Sequence, residues 1–361
     1  MGLTFFDDGR MTRGVYDAAS LSANPQEAGE GISRLLAPVV PHDALSLMGT
    51  DPVSGPLLGG FSFCHGYEPA LVRALVVHRD VEGDPHRPVG RTGAIEAGEQ
   101  PDGGDMDGLL AEHGAGSQLR LLLVDARGVW GVLRLLRSAG GRPFGEEDAR
   151  RAVRLRPALV EALRRYGTSG PLCPEPDVPT LRPGVVVVGA DHRIKAVSPQ
   201  ARAWHDQWST GSGQVIPPWV SDLFFVGLSL AARADAAARV DARGAGARGA
   251  ESSAPVVCLP PAVCGRWLTC QAEPLDADGT GDVAVVVQGA TGDLVVPSFC
   301  ARYGLTARER DVVAELREGA AVKQIARRLG VSPYTVNDHL KAVFRKTGAY
   351  GRDDLITALT R

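Results

Sequence analysis

Apolar residues recur at two spacings along this chain, and the spacing changes from region to region. After Asn24-Pro25, Ala28, Ile32, Leu35 and Leu36 share one side of a predicted helix. Leu45-Ser46-Leu47-Met48 and residues 57–63 read as strands flanking the turn Asp51-Pro52-Val53-Ser54-Gly55, and residues 69–78 as a short helix. Leu119, Leu121 and Leu123 alternate. The turn Asp125-Ala126-Arg127-Gly128 follows, and Val129-Trp130-Gly131-Val132-Leu133-Arg134-Leu135-Leu136 pairs back across it. Phe144-Gly145-Glu146-Glu147-Asp148 opens a long helix to about Tyr166, with acids at its positive end. Residues 90–116, rich in Gly, Asp and Pro, read as a mobile loop.

A Pro-rich stretch, 168–183, separates this region from a second one. Gly184-Val185-Val186-Val187-Val188 and Arg193-Ile194-Lys195-Ala196-Val197 flank a turn at Ala190-Asp191-His192, and Ser198 caps a helix ending near Trp208. Three further strands are expected at residues 255–258, 266–270 and 283–287. Between them, residues 231–253 are nearly all Ala, Arg, Gly and Asp. Their first half suits a helix, and Arg243-Gly244-Ala245-Gly246-Ala247-Arg248-Gly249 a flexible loop.

The last sixty residues are helical throughout. Thr306 and Glu309 form a capping box, and Leu305, Val312, Val313 and Leu316 make one apolar stripe. Gly319 suits the left-handed residue that ends this helix. A second helix over 322–329 buries Ile325, Ala326 and Leu329 and turns Lys323, Arg327 and Arg328 outward; Gly330 closes it. Ser332 caps a third helix with Pro333 in its first position. Val336, Leu340, Val343 and Phe344 face inward there, opposite Thr335, Asn337, Asp338, Lys341, Arg345 and Lys346. A fourth, over 352–359, offers Leu355, Ile356 and Leu359 to the core or to a second subunit. Short helix, tight turn and a second helix with a polar face make a helix-turn-helix layout.

The landmarks Leu305-Thr306-x-Arg308-Glu309, Ile325-Ala326, Leu329, Ser332, Thr335-Val336, His339-Leu340, Lys346 and Gly348 resemble the LuxR/FixJ-type DNA-binding domain of bacterial transcription regulators, over about a sixth of the chain. The resemblance implies a four-helix module whose third helix reads bases around Asn337, Asp338 and Lys341, and whose fourth pairs two subunits. Thr335 joins the base-contact candidates; Lys323, Arg327, Arg328, Arg345 and Lys346 are candidates for phosphate contact or nearby support. Two departures stand out. Ala321 and Gln324 replace a Ser-x-x-Glu box at the second helix, a loss typically of ~1 kcal/mol. Asn337 and Asp338 replace the usual Lys, and Asn favours adenine while Asp accepts from cytosine N4, so the target sequence should differ.

Charge sharpens the division. Residues 301–361 carry twelve Lys+Arg against seven Asp+Glu, net +5, while residues 1–300 carry 27 against 35, net −8. A basic end on an acidic body is the footprint of a phosphate-binding module joined to something else. With 361 residues, two or three domains are expected. Neither a long apolar run nor a signal peptide is evident, so a cytoplasmic location follows by elimination and no membrane partner is expected.

The hairpin Arg127-Gly128-Val129-Trp130-Gly131-Val132-Leu133 and the helix start Phe144-x-x-Glu147-Asp148 resemble a GAF-like sensing domain, which implies a possible small-molecule effector. Leu123, Trp130 and Val132 are then pocket-lining candidates, with plain core packing the alternative. The strands and helix after residue 184 resemble a PAS-like domain. The expected fold is thus α+β: a GAF-like domain (1–167), a linker (168–183), a PAS-like domain (184–296) and an all-α helix-turn-helix domain (297–361).

Cys258, Cys264 and Cys270 recur every six residues, unlike the closer pairs of zinc sites. Asp276-Ala277-Asp278-Gly279-Thr280-Gly281-Asp282 mimics a calcium loop but lacks its final Glu, and reads as a hairpin turn. No nucleophile elbow, phosphate loop or zinc-protease motif is present, and no cofactor is expected. The expectation is a sequence-specific transcription regulator, a homodimer on double-stranded DNA. Its alternative is a ligand-binding signalling protein or enzyme whose C-terminal helices mediate protein contacts.

Overall fold

Two five-stranded antiparallel sheets and a helical C-terminus succeed one another in a computed structural model that describes residues 7–53, 59–81, 94–95, 104–172, 182–211, 218–244, 255–290 and 292–360. The first unit runs α1 (Asp8–Leu21), α2 (Pro25–Leu36), β1 (Ala44–Thr50), β2 (Gly59–His65), α3 (Pro69–Val81), β3 (Ala94–Ile95), α4 (Gly104–Glu112), β4 (Ala115–Asp125), β5 (Gly128–Ser138) and α5 (Glu146–Gly167). Its strand order is β2-β1-β5-β4-β3. The 4–5 hairpin closes where the sequence places it, with Asp125 opposite Gly128 and the Asp125 carboxylate accepting from the Arg127 amide at 2.7 Å.

Strand alternation sends Leu45, Leu47, Leu121, Leu133 and Leu135 to one face, where α1, α2 and α5 cover them. Gly29 permits this: a Cβ there would collide with the backbone of Cys64, so α2 crosses β2 in direct contact. Ala44, Tyr67, Leu71, Leu75, Leu110 and Leu136 form a smaller cluster on the other face, beneath α3 and α4.

The second unit comprises β6 (Gly184–Val188), β7 (Ile194–Val197), α6 (Pro199–Gly211), α7 (Pro218–Gly244), β8 (Val256–Leu259), α8 (Pro261–Cys264), β9 (Leu268–Pro274) and β10 (Val283–Gly289). Its order, β7-β6-β10-β9-β8, repeats the connectivity of the first sheet. Among the described residues five cysteines are buried free thiols; Cys258, Cys264 and Cys270 fall on β8, α8 and β9. The 276–282 turn is closed by its own carboxylates, Asp276 accepting from the Gly281 amide and Asp278 from Thr280. Among the described residues no helix is long and apolar enough to cross a membrane.

A short 3-10 turn (Gly292–Leu294) and α9 (Val296–Arg302) lead into α10 (Ala307–Arg317), α11 (Val322–Leu329), α12 (Pro333–Thr347) and α13 (Arg352–Thr360). Phe299 of α9 packs against Trp267 of the second unit, ring centroids 6.1 Å apart, and against Tyr303 at 4.7 Å. Asp51, just past β1, is 1% exposed. It accepts from Ser298 Oγ at 2.7 Å and from the Cys258 amide at 3.2 Å. Buried Arg302 donates to the carbonyls of Thr50 and Cys258, each at 3.4 Å. Three parts of the chain meet at this polar knot.

The sequence expectations need three corrections. α1 was not foreseen, because its buried residues are Thr12, Val15 and Ala19, a stripe too weakly apolar to stand out. The loop expected over 90–116 contains β3, α4 and the start of β4, while residues 90–93 and 96–103 lie outside the described residues. Helix α7 begins well before the Ala-rich stretch in which a helix was expected. Of the Gly-rich loop expected over 243–249, Arg243 and Gly244 belong to the end of α7, and residues 245–249 lie outside the described residues.

Candidate nucleic-acid interface

Local chemistry builds the C-terminal helices one by one. Thr306 and Glu309 form the reciprocal box that opens α10: the Glu309 amide donates to Thr306 Oγ1 at 3.3 Å, and Glu309 Oε2 accepts from the Thr306 amide at 2.7 Å. Gly319, Gly330 and Gly348 take φ of 78°, 66° and 76°, the left-handed conformation that ends a helix without steric cost. At α11 only half a box survives. Gln324 Oε1 accepts from the Ala321 amide at 2.8 Å, but Ala321 has no side-chain acceptor to return the bond. Ser332 Oγ accepts from the Thr335 amide at 3.0 Å and so starts α12.

Val336 and Val343 are fully buried and Leu340 nearly so, pinning one side of α12 to α10 and α11. The opposite side stays exposed. Asn337, Asp338, Lys341 and Arg345 lie on it. Lys341 Nζ stands 3.6 Å from Asp338 Oδ1, so these two candidate readers pair with each other in the free protein. Thr335 is half-buried, its hydroxyl 2.9 Å from Ser332 Oγ, which ties it to the cap. Lys323 and Arg327, both exposed on α11, have no ion pair among the described residues, and neither does Arg345.

Two basic candidates are committed to the fold. Lys346 Nζ donates to Glu309 Oε2 at 2.6 Å and to the Gly304 carbonyl at 3.0 Å, bolting the end of α12 to the start of α10. It is therefore a brace and not an open phosphate contact. Burial pushes the Glu309 carboxyl up, but Lys346 and the Thr306 amide outweigh it and hold the group below the ordinary glutamate range. Arg328 Nη1 donates to Glu315 Oε2 at 2.6 Å and braces α11 against α10, though it remains exposed.

On α13, Leu355 and Leu359 are 0% exposed and lie in the core of their own helical domain, which corrects the expectation of a pairing face built on both. Their i,i+4 spacing puts them on one stripe, and that stripe faces inward. Ile356 is half-buried at its edge. Of the pocket candidates, Leu123 and Trp130 lie in the main core, where the Arg164 guanidinium sits 5.4 Å from the Trp130 ring. Val132 pairs with Leu122 and Met48 in register, which turns it to the opposite face from Leu123; the three do not converge.

Tyr334 was missed. It is 73% exposed and heads the stripe Tyr334, Asp338, Lys341 and Arg345, spaced four, three and four residues apart. That spacing from Asp338 is visible in the sequence and could have placed it there.

Residues 304–359 match the family described as bacterial regulatory proteins, luxR family. Over 53 residues the chain is 47% identical to the monoamine regulon transcriptional regulator of Klebsiella aerogenes, covering 15% of this chain and 23% of that protein. Over 57 residues it is 47% identical to a protein of Mycobacterium bovis named as an HTH-type transcriptional regulator, covering 16% of this chain and 6% of that one. The chain thus spans less than a quarter of the length of these relatives. Among solved structures, the phage VqmA-DPO complex aligns over 56% of this chain and 88% of that chain at 15% identity, with a TM-score of 0.19. Residues 304–359 form a LuxR-family helix-turn-helix domain, the DNA-binding part of transcription regulators.

Proposed function

We propose that this chain is a sequence-specific transcription regulator that binds double-stranded DNA as a homodimer under the control of its two sheet units. The observation that carries the reading is the face of α12 on which Asn337, Asp338, Lys341 and Arg345 are exposed. Asn337, Asp338 and Lys341 contact base edges in the major groove, with Tyr334 and Thr335 at the leading end of the helix. Lys323, Arg327 and Arg345 neutralise phosphates, and each such contact adds to the salt dependence of binding. Two subunits set their α12 helices in successive major grooves, about 34 Å apart, on a palindromic site. Ile356 is the member of the α13 trio left to contribute to pairing.

The two sheet units take the roles of GAF-like (1–167) and PAS-like (184–296) sensors, joined by the linker 168–183. Their shared strand order supports a common sensing architecture. The chain carries out no catalysis in this reading and works in the cytoplasm. Genome-wide capture of DNA with the intact protein tests it. A palindromic consensus, recovered in a salt-dependent manner, is the expected result. Recovery of random fragments alone, or of none, would leave the C-terminal helices as a protein-contact module.

A further inference from the structure

We infer that the face of the first sheet turned away from α1, α2 and α5 holds a binding site for a small organic carboxylate, centred on Arg134 with Tyr67 and Gln118. Register places Cys64, Ser46, Arg134 and Arg120 in one row across β2, β1, β5 and β4. Strand alternation sends this row to the face opposite Leu133 and Leu135, the face on which Leu71 and Leu75 of α3 pack with Ala44 and Leu136. Arg134 and Arg120 stand directly opposite each other on neighbouring strands, a like-charge pairing that repels unless anions answer it. Arg120 has contacts of its own.

Among the described residues Arg134 has no hydrogen bond or ion pair to a carboxylate, and the titratable groups that face it are Tyr67 and Cys64. Arg134 is half-buried on this face, and a guanidinium drawn in from bulk water without an anion carries a cost that proteins relieve by pairing it or giving it a ligand. Two further groups beside it are also unanswered. Tyr67 is 7% exposed, and among the described residues neither its hydroxyl nor the buried Oε1 of Gln118 has a partner. Gln118 lies two residues before Arg120 on β4, diagonal to Arg134.

The unmet groups describe their ligand. One guanidinium fork matches one planar carboxylate in bidentate fashion, and the Tyr67 hydroxyl is a further donor to it. Gln118 Oε1 calls for a hydroxyl or amine donor on the ligand. Leu71, Leu75, Leu110 and Leu136 alongside supply a wall for an apolar tail. The roof also has a route outward: α3 packs on α7, and Arg73 Nη2 of α3 donates to the His192 carbonyl in the β6–β7 turn at 2.7 Å. The second unit therefore feels any movement of α3. The site supplies an effector for the proposed regulator, but its test does not depend on DNA.

The experiment is titration calorimetry and thermal unfolding of the full chain with acetate, pyruvate, 4-methyl-2-oxopentanoate, 2-hydroxy-4-methylpentanoate, salicylate and inorganic phosphate, with salicylamide as the neutral control. Saturable binding of at least one apolar-tailed carboxylate is expected, with none for salicylamide. Arg134→Met should weaken it at least tenfold and Tyr67→Phe several-fold. In ligand-free protein Arg134→Met should unfold at the same temperature or higher, since an unanswered charge is removed; a merely structural arginine would give a lower one. The inference is overturned if no carboxylate binds saturably, if Arg134→Met leaves binding intact, or if that variant lowers the ligand-free Tm. Binding of phosphate alone would overturn the carboxylate assignment.

Discussion

Lys341 and Asp338 neutralise each other across 3.6 Å on an exposed helix face, so in the proposed reading DNA competes with a neighbour for the lysine. An exposed pair of this kind is worth little, about 0.2–1 kcal/mol, and a base edge or phosphate displaces it readily. Lys341→Ala should cost roughly 1–3 kcal/mol on the operator if it reads a base. Unchanged gel-shift affinity would remove the residue from the interface. Asp338→Ala should strengthen binding to random-sequence DNA and relax preference at one base position, both read from binding selections at two salt concentrations. Glu309 makes a prediction about pH. Its carboxyl is held below the ordinary glutamate range, so its contribution is fully present above that range, about pH 4.3, and is lost as pH falls through the lower folded value. Glu309→Gln should flatten the acid limb of the stability–pH curve; an unaltered limb would show that the Lys346 brace does not depend on charge.

The helices of the C-terminal domain were legible because their ends are written in neighbouring residues. Thr306 with Glu309, Ser332 with Pro333, and the glycines at 319, 330 and 348 each act within one turn. Helix α11 shows the same logic in deficit. Ala321 already has the extended backbone of an N-cap (φ −71°, ψ 154°) and lacks only an acceptor. Ala321→Ser should therefore raise stability by about 0.5–2 kcal/mol, visible as a higher Tm of the full chain. Helix α13 taught the opposite lesson. Its apolar stripe was plain in the sequence, but which surface it met was not. Leu359→Ala should cost about 2–5 kcal/mol by opening a cavity. Dissociation of a dimer with unchanged monomer stability would instead return Leu359 to the subunit interface.

At the scale of the molecule, the binding domain is fastened to the body by α9 and by the knot around Asp51. Removing the Asp51 carboxylate strands the Ser298 hydroxyl and the Cys258 amide in a buried site, at about 1–3 kcal/mol for each unmet group. Asp51→Ala should loosen the domain from the two sheets and raise proteolytic cleavage near α9. Equal resistance to protease in the variant would show that the hydrophobic contacts of Phe299 suffice.

The sequence by itself determined the capped helices, the polar face of α12, the β4–β5 and β6–β7 hairpins and the basic end on an acidic body. Each of these depends on residues close together in the chain or on a simple count of charge. Tertiary structure alone decided that Leu355 and Leu359 face inward, that Lys346 serves Glu309, that Asp51 meets Ser298 and that Arg134 faces Tyr67 with no carboxylate partner among the described residues. Those pairings join residues far apart in the chain, and no local spacing encodes which distant surface a stripe or a charge will meet.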